Sequence, residues 1–183
     1  PKVEGLGGVE PVEAIVFNAS GCGLSVKDYG HALAHDPDYA EKAARISAAA
    51  RDLSELLPTL IGPLKSALGQ RRARGVLAYH PPCTLQHGQK LRGGVEAAMA
   101  EIGFEVHLPT QDSHLCCGSA GTYSVLQPEI AYQLRDRKVQ TLEARQPSVI
   151  ISGNIGCIQH LQSGTQLPVK HWVEVIDEVL AAG

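Results

Sequence analysis

Two adjacent cysteines followed by a glycine, Cys116-Cys117-Gly118, constrain this chain more than any other feature. Thirty-two residues separate Cys83 from Cys116, and thirty-nine separate Cys117 from Cys157. Neighbouring Cα atoms stand about 3.8 Å apart, below the usual span of a disulfide, so the pair is poorly suited to bridge itself. A single tight turn can instead present both sulfurs to a shared metal. A fold that uses them together must therefore bring three distant segments to one place.

The segments around these cysteines alternate between apolar runs and helical patterns. Glu13–Asn18 reads as a buried strand entering a Gly21-Cys22-Gly23 loop. Asp36-Pro37 supplies an N-cap and a first-turn proline, and alanines and leucines at helical spacing predict one long amphipathic helix from Tyr39 to about Leu57. Pro58 and Pro63 break it, with a short helix over 60–68. Gly75–His80 is the next strand, stopped by Pro81-Pro82, which donate nothing to a ladder. Helices are predicted over 91–102, 119–126 and 129–144, strands over 104–108 and 148–152, and a final helix from Trp172 after Pro168–His171. This alternation predicts an α/β fold with a largely parallel sheet flanked by helices, in Rossmann-like layering. Cys22, Cys83 and Cys157 each follow an apolar strand, which places their loops at the carboxyl ends of the strands, where ligands collect in open sheets.

Composition narrows the function. A formal net charge of −3 offers no basic field for nucleic acid, and no apolar run is long enough to span a bilayer. Five cysteines, an odd number without dense spacing, argue against a secreted disulfide scaffold and for a reducing cytoplasm. Neither end resembles a secretion signal. Pro1 and the Gly/Glu/Pro stretch after it suggest a fragment of a longer protein. An echo between Ala14–Cys22 and Val149–Cys157 divides the chain into 1–70, the end of a truncated first repeat, and 71–183, a complete second one.

Taken alone, Cys22 is best explained as a small buried hydrophobe. Cys83, Cys116, Cys117 and Cys157 all fall in loops, where packing explains least and sites are assembled. Thiolates with an imidazole suit an iron–sulfur or zinc centre, while Cys116-Cys117 alone would serve a dithiol/disulfide catalyst. His160, one helical turn past Cys157, is a further metal-ligand candidate. His80, His87 and His114 lie beside the cysteines and are placed as donors to their sulfurs. Gly118 permits a tight turn into a helix whose positive end would lower the thiol pKa. His31, His35, His107 and His171 are assigned structural roles.

The motifs Asn18–Gly23, His80–His87, Cys116–Tyr123, Asn154–Cys157 and Val169–Trp172 resemble the CCG cysteine-rich domain, above all as it occurs in glycolate oxidase (glycolate dehydrogenase) iron–sulfur subunits, with the cysteine-rich subunit of heterodisulfide reductase as a related case. The likeness covers nearly the whole chain. It implies an electron-transfer component of a complex oxidising a 2-hydroxy acid, with no catalytic residue of its own. Cys83, Cys116, Cys117, Cys157 and Cys22 would hold an iron–sulfur cluster of [4Fe–4S] type, with zinc as the alternative. FAD-containing subunits would be its partners and quinone the eventual acceptor. The complex would sit in the cytoplasm, at the inner face of the membrane. Two departures stand out. The family's final Cys-x2-Cys is here Cys157-Ile158-Gln159-His160, and serine stands at position 25, where a second cysteine would follow Cys22.

Overall fold

The computed structural model describes residues 12–71 and 75–182; the Gly/Glu/Pro opening of the chain lies outside the described residues. The first apolar run forms strand β1 (Ile15–Phe17). The Gly-Cys-Gly segment is helical rather than a loop: α1 spans Ser20–Lys27, with Cys22 as its third residue. A single turn, α2 (Tyr29–Ala32), precedes α3 (Ala40–Ala49). Asp36 does cap the approach to α3, its carboxylate accepting the N–H groups of Asp38 and Tyr39 at 2.9 Å.

The long helix predicted from Tyr39 to Leu57 is interrupted. At Ala50 the chain becomes extended, and β2 (Ala50–Asp52) pairs in parallel with β1 in the register Ile15↔Ala50 to Phe17↔Asp52. Asp52 then caps a short 3-10 turn (Leu53–Leu56): it accepts Ser54 N–H at 2.9 Å, while Glu55 reaches back to the Asp52 N–H at 2.7 Å. Helix α4 (Leu57–Leu68) follows, and it accommodates Pro58 in its first turn and Pro63 in its interior.

Strand β3 (Leu77–His80) begins the larger sheet. A π-helical turn (Thr84–Gly88), α5 (Gly94–Glu101) and β4 (Val106–His107) come next. The predicted helix over 119–126 shrinks to one turn, α6 (Tyr123–Leu126), and α7 (Pro128–Glu143) opens on proline as expected. Strand β5 (Val149–Ser152), helix α8 (Ile155–Gln162), strand β6 (Val169–His171) and helix α9 (Trp172–Ala181) complete the fold. All four strands are parallel, in the order β4-β3-β5-β6.

Strand alternation divides the core. Leu77, Tyr79 and Ile151 face the layer of α4, α5 and α9, together with Met99, Phe104 and Trp172. Ala78 and Ile150 face α7 and α8 and pack with Val139, Leu142, Leu161, Cys117 and Cys157. From β3 the chain winds outward to β4, then returns past β3 to β5 and β6. The two neighbours β3 and β5 thus form a topological switch point, and their carboxyl ends open the crevice in which such sheets hold ligands.

The amino-terminal segment is fastened onto this crevice. Ser20 N–H donates to Gly153 O at 3.1 Å, the Ser20 and Thr84 hydroxyls meet at 2.7 Å, and Gln89 Nε2 donates to Ser20 O at 2.9 Å. The echo seen in the sequence has a structural counterpart. In both β1-α1-β2 and β5-α8-β6 a strand runs into a helix with cysteine third, and a parallel strand then ends on a capping residue, Asp52 or His171. Each cap lies opposite the last residue of the first strand, Phe17↔Asp52 and Ser152↔His171.

His171 joins the two parts. Its Nδ1 accepts Val173 N–H at 3.1 Å, and its Nε2–H donates to Asn18 O at 2.9 Å. Burial is the main cause that holds its pKa below the ordinary value, against the opposing pull of the Asn18 bond and of Glu174. The unfolded chain takes up a proton near pH 6.5, so this contribution is intact above that pH and is lost as pH falls toward the lower folded value. His171→Ala should cost about 1 kcal/mol of unfolding free energy near neutral pH. It should also flatten the decline in stability between about pH 7 and about pH 5. Urea unfolding across that range checks both, and parallel profiles for wild type and variant would remove His171 from the account.

Candidate metal centre

The three cysteine segments meet at the carboxyl ends of β3 and β5. After β3, Pro81-Pro82 turn the chain so that Cys83 opens the π-helical turn. After β5, Asn154 is extended and starts α8, placing Cys157 inside the first turn. Between them lies the Cys116-Cys117-Gly118 turn, which leads into α6 and α7. Its backbone requires the glycine: φ at Gly118 is 93°, and a Cβ there would stand 2.3 Å from Ala131 O.

The sulfurs form a continuous chain of contacts from Cys83 to Cys116, Cys117 and Cys157. All five cysteines are free thiols. Cys117 and Cys157 are buried, whereas Cys83 and Cys116 are half-buried and form the outer side of the cluster. His80, at the end of β3, completes the inner side. Its ligand-capable nitrogen and the sulfurs of Cys117 and Cys157 all lie within 4.8 Å of one another.

Crowding four thiols into one place separates their ionisation. Cys116 is held well below the usual thiol range, first by the Cys117 thiol and then by the Cys83 thiol, with the Gly118 N–H at 3.3 Å also donating and burial opposing. Cys157 is likewise held far down, chiefly by the Cys117 thiol, with help from His80 and from Asn154 Nδ2 at 3.6 Å. Cys83 and Cys117 are pushed up, each by its thiolate neighbours first and by burial after that. Raised and lowered thiol pKa values thus alternate along the chain of sulfurs. A metal taken here would displace the remaining protons. The predicted help from a helix N-terminus is replaced by this thiol network and the Gly118 N–H, since α6 starts only at Tyr123.

The other candidates lie apart from this group. His160 Nε2–H donates to Ala131 O, 3.2 Å away, and the ring stacks on Tyr132 at 6.0 Å between ring centroids and packs behind Gly118. Cys22 is exposed on α1, although the start of that helix touches the site through Gly21 N–H to Asn154 Oδ1 at 3.3 Å. His87 bridges His114 O and Arg92, tying the π-helical turn to the cysteine turn, and His114 itself is exposed. Two residues of the site carry weaker signals in the sequence. Asn154 contacts both Cys157 and Gly21, and its signal is its position between a strand and a cysteine helix. Lys138 is buried on α7 and donates to Asp112 O; burial lowers its pKa, while Asp112, Cys117 and Cys116 oppose that shift. Its signal is a lysine on the apolar stripe of Ala131 and Leu142.

The donor set fits a soft metal or a metal cluster. Four thiols linked in a chain of contacts, a buried imidazole with no directed hydrogen bond at either nitrogen, and a turn with no room for a Cβ are the attributes of a ligand cage. Residues 77–162, the segment that supplies all of these groups, match the family model of the CCG cysteine-rich domain. Over 92% of its length the chain is 47% identical to the glycolate oxidase iron–sulfur subunit of Escherichia coli (strain K12), of which it spans 40%. It is 27% identical to the probable glycolate oxidase iron–sulfur subunit of Bacillus subtilis (strain 168), spanning 34% of that protein. It is also 27% identical to lactate utilization protein A of Anoxybacillus flavithermus (strain DSM 21510 / WK1), spanning 71%. The chain therefore covers less than half of the two iron–sulfur subunits it matches. Among the described residues no helix is long and apolar enough to cross a membrane.

Gly118→Ala tests the turn. The Cβ would strike the Ala131 carbonyl, so the variant should lose more than about 1 kcal/mol of stability. Thermal unfolding and the rate of thiol modification at Cys116 and Cys117 measure this. An unchanged melting curve would show that the turn yields more easily than its geometry suggests.

Proposed function

We propose that this chain is an electron-transfer element of a complex that oxidises a 2-hydroxy acid, glycolate being the acid named in two of the relatives. Cys83, Cys116, Cys117 and Cys157 would hold an iron–sulfur cluster, of [4Fe–4S] type by ligand number. Such a cluster supplies one-electron transfer, here between a flavin-bearing subunit and quinone, with the complex at the inner face of the membrane. The single observation that carries this reading is the convergence of four free thiols at the β3/β5 switch point of a CCG domain.

The chain's own residues do the rest. The layer of Val139, Leu142, Ile158 and Leu161 keeps water from Cys117 and Cys157. Gly118 N–H and Asn154 Nδ2 donate to the sulfurs of Cys116 and Cys157 and stabilise their negative charge. Buried Lys138 adds a positive charge on the same side. Half-buried Cys83 and Cys116 leave an outward edge for exchange with a partner subunit. Residues 1–70 are assigned as the end of another cysteine-rich repeat and 71–183 as a complete one, supported by the matched strand–cysteine helix–strand–cap order. Cys22 then occupies the position in the first unit that Cys157 occupies in the second.

A second reading has its own support. His80, Cys117 and Cys157 are grouped closely enough for one ion, which suits a structural zinc site. Anaerobically purified protein separates the two. Brown colour with iron and acid-labile sulfide in stoichiometric amounts is expected, and colourless protein with stoichiometric zinc after iron–sulfide reconstitution would overturn the electron-transfer reading. Cys117→Ser should lose most of the bound metal while His171→Ala retains it, as read by elemental analysis of the two variants side by side.

A further inference from the structure

We propose that His80 is a metal ligand, its imidazole joining Cys117 and Cys157 as the inner side of the centre. This rests on the reading of the cysteine cluster as a metal centre in its single-ion form, since four cysteines already match a [4Fe–4S] cluster in ligand number, and it moves His80 from a neighbour of the sulfurs to a member of the cage.

His80 is completely buried, and neither Nδ1 nor Nε2 has a hydrogen-bond partner. An imidazole always carries at least one N–H donor or lone pair that burial must satisfy, so an orphan of this kind calls for a ligand. Other histidines are spoken for: His160 by Ala131 O, His87 by His114 O and Arg92, His107 by Glu105 and Arg145, and His171 by Asn18 O and Val173 N–H. The polar atoms grouped with the His80 ring are the sulfurs of Cys117 and Cys157. His80 acts on the Cys157 sulfur side chain to side chain, but neither ring nitrogen is aimed at a sulfur well enough to make a directed hydrogen bond. A cation between the three would satisfy the imidazole and neutralise the thiolates together.

The fold fixes the ring in this position. His80 shares the face of Ala78, two residues earlier, which is the face that meets α7, α8 and the cysteines. Pairing with Ser152 and the hydrogen bond from Ser152 Oγ to His80 O at 3.0 Å hold its backbone. Nothing in the strand's own packing needs an imidazole there, since Ser152 binds only the carbonyl.

The test uses reduced, metal-free protein loaded with Zn2+ and X-ray absorption at the zinc edge. Wild type and His160→Ala should both show the outer-shell scattering of a coordinated imidazole. His80→Ala and His80→Gln should lack it, with Zn2+ affinity reduced at least about tenfold. Wild-type protein that binds no zinc, or binds it without imidazole, overturns the proposal, as does imidazole scattering that survives in the His80 variants. Should His80→Ala fail to fold, the wild-type spectrum and His80→Gln decide. Iron and sulfide content of the anaerobic wild type judges the electron-transfer reading separately: zinc held through His80 in a protein that never takes up iron would sink that reading and keep this one.

Discussion

The parallel pairing of β3 with β5 is the constraint on which the rest of the structure depends. Its register runs from Leu77↔Val149 to His80↔Ser152, so both strands end at the same level. The chain therefore leaves both strands side by side, toward Cys83 in one case and toward Cys157 in the other. A slip of one residue would reverse every side chain on β3. Tyr79 would turn into the α7/α8 layer, and His80 would be carried into the apolar layer of Leu57, Met99 and Trp172. The hydrogen bond from the Ser152 hydroxyl to the His80 carbonyl locks the last rung of this pairing. Stability and site geometry are thus set by the same ladder.

The second constraint is electrostatic. Thiolates in a dry layer are costly unless neighbours satisfy them. The protein limits that cost by alternating cysteines whose pKa is pushed up, Cys83 and Cys117, with cysteines whose pKa is held down, Cys116 and Cys157. Asn154, Gly118 N–H and the charge of Lys138 supply further positive potential. A metal ion bound here would displace the thiol protons.

The large elements were legible in the sequence because their apolar periodicities were unmixed. The strands ending at His80 and Ser152 and the helix opening on Pro128 appear where expected. The amino-terminal half was less transparent, and the reason lies in residues 50–57. Alanines at helical spacing carried the predicted helix through Ala50 and Leu53, yet Asp52-Leu53-Ser54-Glu55 is itself a helix-start signature. The tertiary demand of β1 for a parallel partner breaks the helix there, and no local pattern announces such a demand. Cys22 and Cys157 illustrate the same limit. Short strand-to-helix turns rich in glycine read as loops, although both cysteines lie inside first helical turns. Of the site, the four clustered cysteines could be read from spacing and local motif. The isolation of His80 could not, because a histidine at a strand end is usually wet and only burial on both sides leaves it without partners.

The two strand–helix–strand units also explain why the amino-terminal segment matters to a site it does not line. Its strand end, Asn18, receives the His171 Nε2–H, and its helix start, Gly21, donates to the Asn154 side chain that touches Cys157. Asn154 is thus held from one side by the first unit and holds a sulfur on the other. A Cβ at Gly21 would sit in ordinary contact with the same side chain, 3.4 Å from Asn154 Oδ1. Any shift of α1 would be felt at Cys157 through one side chain, with no need for Cys22 itself to approach the cluster. The first unit therefore acts on this centre through backbone and amide contacts, which leaves its own cysteine, exposed on α1, free of the cluster formed by the other four.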